Sequence, residues 1–113
     1  MKKRKVSILG EEYTLVERAE ESKYPKITEE CDGYIDFSVK EIVVANFEPS
    51  DRSMKDLESY RRKVTRHEII HAFFHESGLD CQCDFARDEA LVDWIALQFP
   101  KMAKVFKEVG VSE

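Results

Sequence analysis

All three histidines of this 113-residue chain lie between positions 67 and 75, and His67-Glu68-Ile69-Ile70-His71 matches the pattern H-E-x-x-H. Residues four apart on an α-helix share a face and stand about 6 Å apart along the axis, so two imidazoles in this spacing can converge on one ion. Imidazole nitrogens are common ligands of Zn²⁺. A glutamate directly after the first histidine points around the helix to where it can take a proton from a water on that ion. The chemistry such a set supports is metal-assisted hydrolysis, with His67 and His71 as ligands and Glu68 as general base.

Two protein ligands are one short of a catalytic zinc site, which takes three and leaves a position for water. The longer motif, which adds Gly and then His, is excluded, because those positions hold Phe74 and Ser77. His75 is two turns from His67, about 12 Å along the axis, and reads as a helix-end histidine interacting with the C-terminal dipole. Cys81 and Cys83 would put two thiolates near the end of the helix and close a structural His/Cys site, an arrangement that leaves Glu68 without a task. The favoured third ligand is Glu89, 18 residues after His71 on a following helix. Asp93, four residues further on the same face, would accept a hydrogen bond from the distal nitrogen of a ligand histidine and fix its tautomer. Asp88 is the substitute if the register shifts by one, and the competing reading of this stretch is a solvated first turn whose acids favour the helix N-terminus.

These side chains require two neighbouring helices and a layer to back them. Met54, Leu57, Tyr60, Val64, His67, His71 and Phe74 recur at spacings of three and four, which predicts a long helix capped by Asp51 or Ser53 and closed at Gly78. After Arg66 it is apolar on most faces and so central. A loop of about seven residues from Leu79 leads to a helix marked by Phe85, Leu91, Val92, Trp94, Ile95 and Phe99. Pro100 is expected to end or kink that helix before a short last one, Lys101 to Glu108, closed by Gly110. Upstream, Lys5 to Leu9 and Glu12 to Glu17 read as a hairpin around Gly10-Glu11. The alternation in Tyr34 to Val39 marks a strand, with Ile42 to Ala45 as its partner. The polar, acidic stretch between, from Arg18 to Asp32, reads as a loop.

Length allows one domain, residues 1–113, and 42% apolar with 36% charged residues suits a compact core under a charged surface. No apolar run approaches the roughly 20 residues a membrane span needs, so no membrane partner is expected. Three cysteines cannot all pair, which points to a reducing compartment and a cytoplasmic location. With a net charge of −5 there is no global attraction to phosphate backbones, and the local basic stretch Arg61, Arg62, Lys63 and Arg66 reads as a solvated helix face, so no nucleic-acid partner is expected.

Arg66-His-Glu-Ile-Ile-His-Ala72, followed by Asp88-Glu-Ala-Leu-Val-Asp-Trp-Ile-Ala96 and Phe99-Pro100, resembles the gluzincins. More narrowly it is similar to the ImmA/IrrE-type metallopeptidases and the single-domain minigluzincins, including short phage and prophage members. The resemblance covers about residues 64 to 100, with Gly33 and the strands of residues 34–45 fitting the small sheet such proteins place before the motif helix. It implies a zincin-like α+β domain: a small antiparallel sheet packed on the long HExxH helix, then a glutamate-bearing helix and a short C-terminal helix. It also implies a zinc-dependent endopeptidase acting on a protein or peptide substrate, with His67, His71 and Glu89 on the metal, Asp93 in support and Glu68 catalytic. The alternative is a latent or non-catalytic zinc-binding interaction protein of the same fold. The Cys81-x-Cys83 loop has no counterpart in the family pattern.

Overall fold

The computed structural model describes residues 1–28, 31–48 and 56–113 and shows an α+β architecture built on one four-stranded sheet. Strands β1 (Lys2–Ile8) and β2 (Glu11–Ala19) form an antiparallel hairpin. Its turn is Leu9-Gly10 rather than Gly10-Glu11, and both residues have positive φ, 50° and 86°, the pairing that matches the right-handed twist of a two-residue hairpin. β1 starts at Lys2, and its Lys2-Lys3-Arg4-Lys5 run discourages pairing with a foreign strand at this outer position.

Strands β3 (Gly33–Asp36) and β4 (Glu41–Ala45) complete the sheet in the order β1-β2-β4-β3. The expected antiparallel sheet is in fact mixed, since β2 and β4 run parallel while β1–β2 and β3–β4 are antiparallel. The chain leaves β2 and re-enters at the far edge as β3. It then turns back, so β4 is inserted beside β2 in the same direction. β4 earns its central place by composition: Ile42, Val43, Val44 and Ala45 are all buried, with side chains alternating between two apolar clusters. Ile42 and Val44 meet Tyr13, Leu15, Val64 and Ala72 on one face. Val43 and Ala45 meet Val16, Ala19 and Ile27 on the other. The segment read as a featureless acidic loop therefore has a packing role, because its Tyr24 and Ile27 cover the second face of the sheet. Ala19 joins Val16 there only because the β2–β4 register shifts between them, beside Arg18 at φ 56°.

Helix α1 (Leu57–Glu76) lies on the first face, and its buried residues Val64, Glu68 and Ala72 are spaced four apart. Its cap is Asp56, whose side chain accepts from the Ser59 amide at 2.9 Å. The caps expected from sequence, Asp51 and Ser53, lie outside the described residues, as does Met54. Gly78, at φ 79°, follows the helix end as anticipated. The connection expected as a loop is ordered into a short helix α2 (Leu79–Gln82) and a 3₁₀ turn, Asp84–Arg87, which holds Phe85.

Helix α3 (Glu89–Glu108) runs unbroken through Pro100, so the separate short C-terminal helix is not present. Proline cannot donate to the carbonyl four residues back, and that carbonyl is satisfied instead from α1 by Arg66. The helix ends as expected at Gly110, φ 75°, where the Val111 amide bonds Phe106 O at 2.9 Å and the Gly110 amide bonds Lys107 O at 3.2 Å. Among the described residues no helix is long and apolar enough to cross a membrane.

Candidate metal centre

The motif helix turns Glu68 inward and its two histidines sideways. Glu68 sits on the buried ridge between Val64 and Ala72, and His67 and His71, about 100° and 60° around the helix from it, face α3. Glu89 opens α3. Its Oε2 lies 2.8 Å from His67 Nε2 and its Oε1 2.9 Å from His71 Nε2, so one carboxylate faces both rings. One ligand atom from each of His67, His71 and Glu89 falls within 4.8 Å of the others, and this group could hold a metal ion.

Two observations fit the trio to a cation better than to a network of its own. His71 Nε2 is buried and has no hydrogen-bond partner among the described residues; its 2.9 Å approach to Glu89 is too poorly aligned to count as one. Burial also holds His71 below the usual histidine range, with the neighbouring Glu89 opposing the shift, so its ring favours the neutral form that metals bind. The donor set of two imidazoles and a carboxylate is one that Zn²⁺ accepts in open sites.

Asp93 stands where the sequence reading put it. Its Oδ1 is 3.2 Å from His67 Nδ1, leaving Nε2 for the centre, and 3.1 Å from Lys63 Nζ. Burial alone would raise the pKa of Asp93, but hydrogen bonds from Lys63 and His67 outweigh it and hold the carboxyl below its ordinary value.

Asp88 is removed as a substitute ligand by its own geometry. Its Oδ1 accepts from the amides of Ala90 at 2.8 Å and Leu91 at 3.3 Å, which makes it the cap of α3. His75 points elsewhere, with Nδ1 3.0 Å from Asp80 Oδ2 and its ring stacked on Phe37. Cys81 and Cys83 are free thiols outside the group, as is Cys31.

Glu68 is only 8% exposed, with Oε1 3.9 Å from His67 Nε2. Burial pushes its pKa up to about 7; His67 opposes the shift and Glu89 adds to it. The close fit of β3 to α1 at this point depends on Gly33, since a Cβ there would meet Val43 O at 3.0 Å and Glu68 Cγ and Val64 Cγ1 at 3.2 Å.

Two cavities flank the centre. The larger, about 400 Å³, is bordered by β3, Glu68, His71, Asp80, Arg87 and Glu89. The smaller, about 230 Å³, lies against Tyr60, Lys63, His67 and Asp93. Both include Gly33, Glu68 and Glu89, and no residue beyond Asp93 borders either, so the C-terminal part of α3 does not block them.

The four tyrosines are tied into the fold. Tyr13 and Tyr60 donate to Glu76 and Asp32, and the side chains of Tyr24 and Tyr34 pack on the far face of the sheet. Three of the four residues of the basic stretch also have partners within the chain: Arg61 binds Glu58, Lys63 binds Asp93 and Arg66 binds Ala96 O. Sequence reasoning missed Arg66 as a structural donor; the signal was Pro100, which orphans a carbonyl inside a helix. Comparison with protein-family models, curated proteins and solved structures returns no match.

Proposed function

We propose that the chain is a zinc-dependent metalloendopeptidase of the gluzincin type, similar to the short ImmA/IrrE-like members, acting in the cytoplasm on a protein or peptide. The observation that carries this reading is the convergence of His67, His71 and Glu89 beside a buried glutamate. The two histidines and Glu89 would hold the ion, and Asp93 keeps His67 in the tautomer whose Nε2 is free to bind. When bound, Zn²⁺ supplies an acidified water and polarises the substrate carbonyl.

The rest belongs to the chain's own residues. Glu68, raised toward neutrality by burial, is a base matched to taking a proton from water and returning it to the leaving nitrogen at Glu68 Oε1 or Oε2. Among the described residues the outer edge of β3 carries no strand, and an extended peptide laid along it would gain main-chain hydrogen bonds while crossing both cavities.

The test uses zinc-loaded protein and internally quenched peptides. Cleavage is expected to disappear with a chelator and return with zinc. Glu68→Gln is expected to bind zinc as the parent does and to cut nothing. Zinc binding without cleavage of any peptide by the parent chain supports the latent or non-catalytic reading instead.

A further inference from the structure

Helix α3 packs on α1 and on the 3₁₀ turn Asp84–Arg87, and its buried residues, Val92 and Ala96, lie in its first half. Its second half is no less apolar. Phe99, Met102, Val105, Phe106 and Val109 are all exposed, by 37% to 65%. Single exposed apolar side chains are ordinary, but five within three turns of one helix mark a contact surface.

The order of the residues gives that surface its shape. Phe99, Met102, Phe106 and Val109 are spaced by three, four and three, which sets them in one stripe with Val105 beside it. Val92, Phe99 and Phe106 are seven apart, so the stripe prolongs the side of α3 that is buried at Val92. Lys101, Lys104, Lys107 and Glu108, the charged residues of this stretch, all fall outside it. The positions that flank it are held by Gln98, Ala103, Val105 and Gly110. An apolar seam with every charge turned away is the layout by which one helix packs along another.

Area and charge choose the occupant. The five side chains expose on the order of 450 Å² of apolar surface, so two copies joined here would bury about 1,400 Å² in all at the usual composition of a homodimer interface, within the range of specific interfaces. An anionic membrane is the poorer fit, because the chain as a whole carries a net charge of −5. Antiparallel pairing sets Phe99 against Val109 of the second copy and Met102 against its Phe106, each a larger side chain against a smaller one. It also opposes the two helix dipoles and keeps the sheets, carried beside the first half of each α3, at opposite ends of the seam.

We infer that residues 99–109 of α3 are the interface of a two-fold homodimer, pairing antiparallel with the same residues of a second copy. Glu89 and Asp93 lie at the far end of the helix, and no residue beyond Asp93 borders either cavity, so both candidate metal centres stay open in the dimer. The inference goes beyond the metallopeptidase reading and does not depend on it.

The experiment is sedimentation equilibrium of the full chain over about 1–100 μM, with circular dichroism to verify the fold of each variant. The parent is expected to approach twice the chain mass at the upper end. Phe106→Glu and Met102→Lys each put a charge into the seam at an exposed position and are each expected to weaken the dimer at least about a hundredfold. Combined, the two new charges face each other across the antiparallel seam, and the dimer is expected to be at least about tenfold tighter than with either change alone. Leu97→Glu, 52% exposed but outside the stripe, is expected to associate as the parent does. A parent that stays monomeric throughout overturns the inference, whether or not it binds vesicles of phosphatidylcholine and phosphatidylserine. So does a Phe106→Glu chain that dimerises like the parent, or a Leu97→Glu chain that loses the dimer as fully. Absence of recovery in the combined variant overturns the antiparallel pairing. Zinc affinity of Phe106→Glu is expected to equal the parent's, so failure of the metal centre and failure of the dimer are read separately.

Discussion

Arg66 and Pro100 are joined through one oxygen: Arg66 Nε donates at 2.7 Å to the carbonyl of Ala96, the acceptor that a helical residue 100 with an N–H would have used. Ala96 is fully buried, so without Arg66 that carbonyl would have neither a helical partner nor water. The bond also joins the residue directly before His67 to the helix that begins at Glu89, and so fixes how the two ligand-bearing helices face each other.

Arg66→Met is therefore expected to lower stability by about 1–3 kcal/mol, the cost of a buried unsatisfied group, measured by urea unfolding. In a Pro100→Ala background the new amide can serve Ala96 itself, and the same substitution is expected to cost less. Equal costs in the two backgrounds would show that Arg66 acts through something other than this carbonyl.

Gly33→Ala places a methyl group within 3.0–3.2 Å of Val43 O, Glu68 Cγ and Val64 Cγ1. One of these contacts is main chain and the others lie on the buried ridge of α1, so the crowding is expected to cost about 1–3 kcal/mol and to displace Glu68. Peptide cleavage should fall by more than zinc affinity does. A variant with parental stability and turnover would remove Gly33 from the positioning of Glu68.

Glu68 gives the metal-free protein a pH dependence of definite sign. Its pKa is about 7 in the folded chain against an ordinary value of 4.5, so between these values the folded state holds a proton that the unfolded state has lost. Stability is then expected to fall as pH rises from about 4.5 to about 7, with this group contributing on the order of 3 kcal/mol at most. Urea midpoints in the presence of a chelator should show this decline. Glu68→Gln should flatten it, and an unchanged slope in that variant would assign the decline to other groups.

Asp93→Asn keeps the shape of the residue but removes the charge facing His67 Nδ1 and Lys63. Zinc affinity is expected to drop by roughly 10–100-fold with the ion still bound by the same three side chains. Parental affinity would mean that Lys63, rather than His67, is the partner that matters to Asp93.

Much of the centre was legible because its spacing is local. Four residues separate His67 from His71 and Glu89 from Asp93, and helical geometry turns each separation into a shared face. What the sequence concealed was long-range. The parallel pairing of β2 with β4 depends on where the chain re-enters the sheet, which no strand's own alternation reveals. The cover that Tyr24 and Ile27 give the far face is hidden in a stretch dominated by acids. Pro100 was read as a break because a local rule forbids it inside a helix, and the exception is made by a donor 34 positions earlier in the chain, Arg66. The Asp80–His75 contact was invisible because it joins α1 to α2, a helix in a stretch that reads as a loop.

The most direct measurement is a zinc titration of the metal-free chain beside His67→Ala, His71→Ala and Glu89→Ala. One equivalent should bind tightly to the parent chain, and each substitution should weaken binding by more than the roughly 10–100-fold that loss of an outer partner costs. Failure of the parent to bind stoichiometric zinc, or an affinity in Glu89→Ala equal to the parent's, would contradict a centre built from these three side chains.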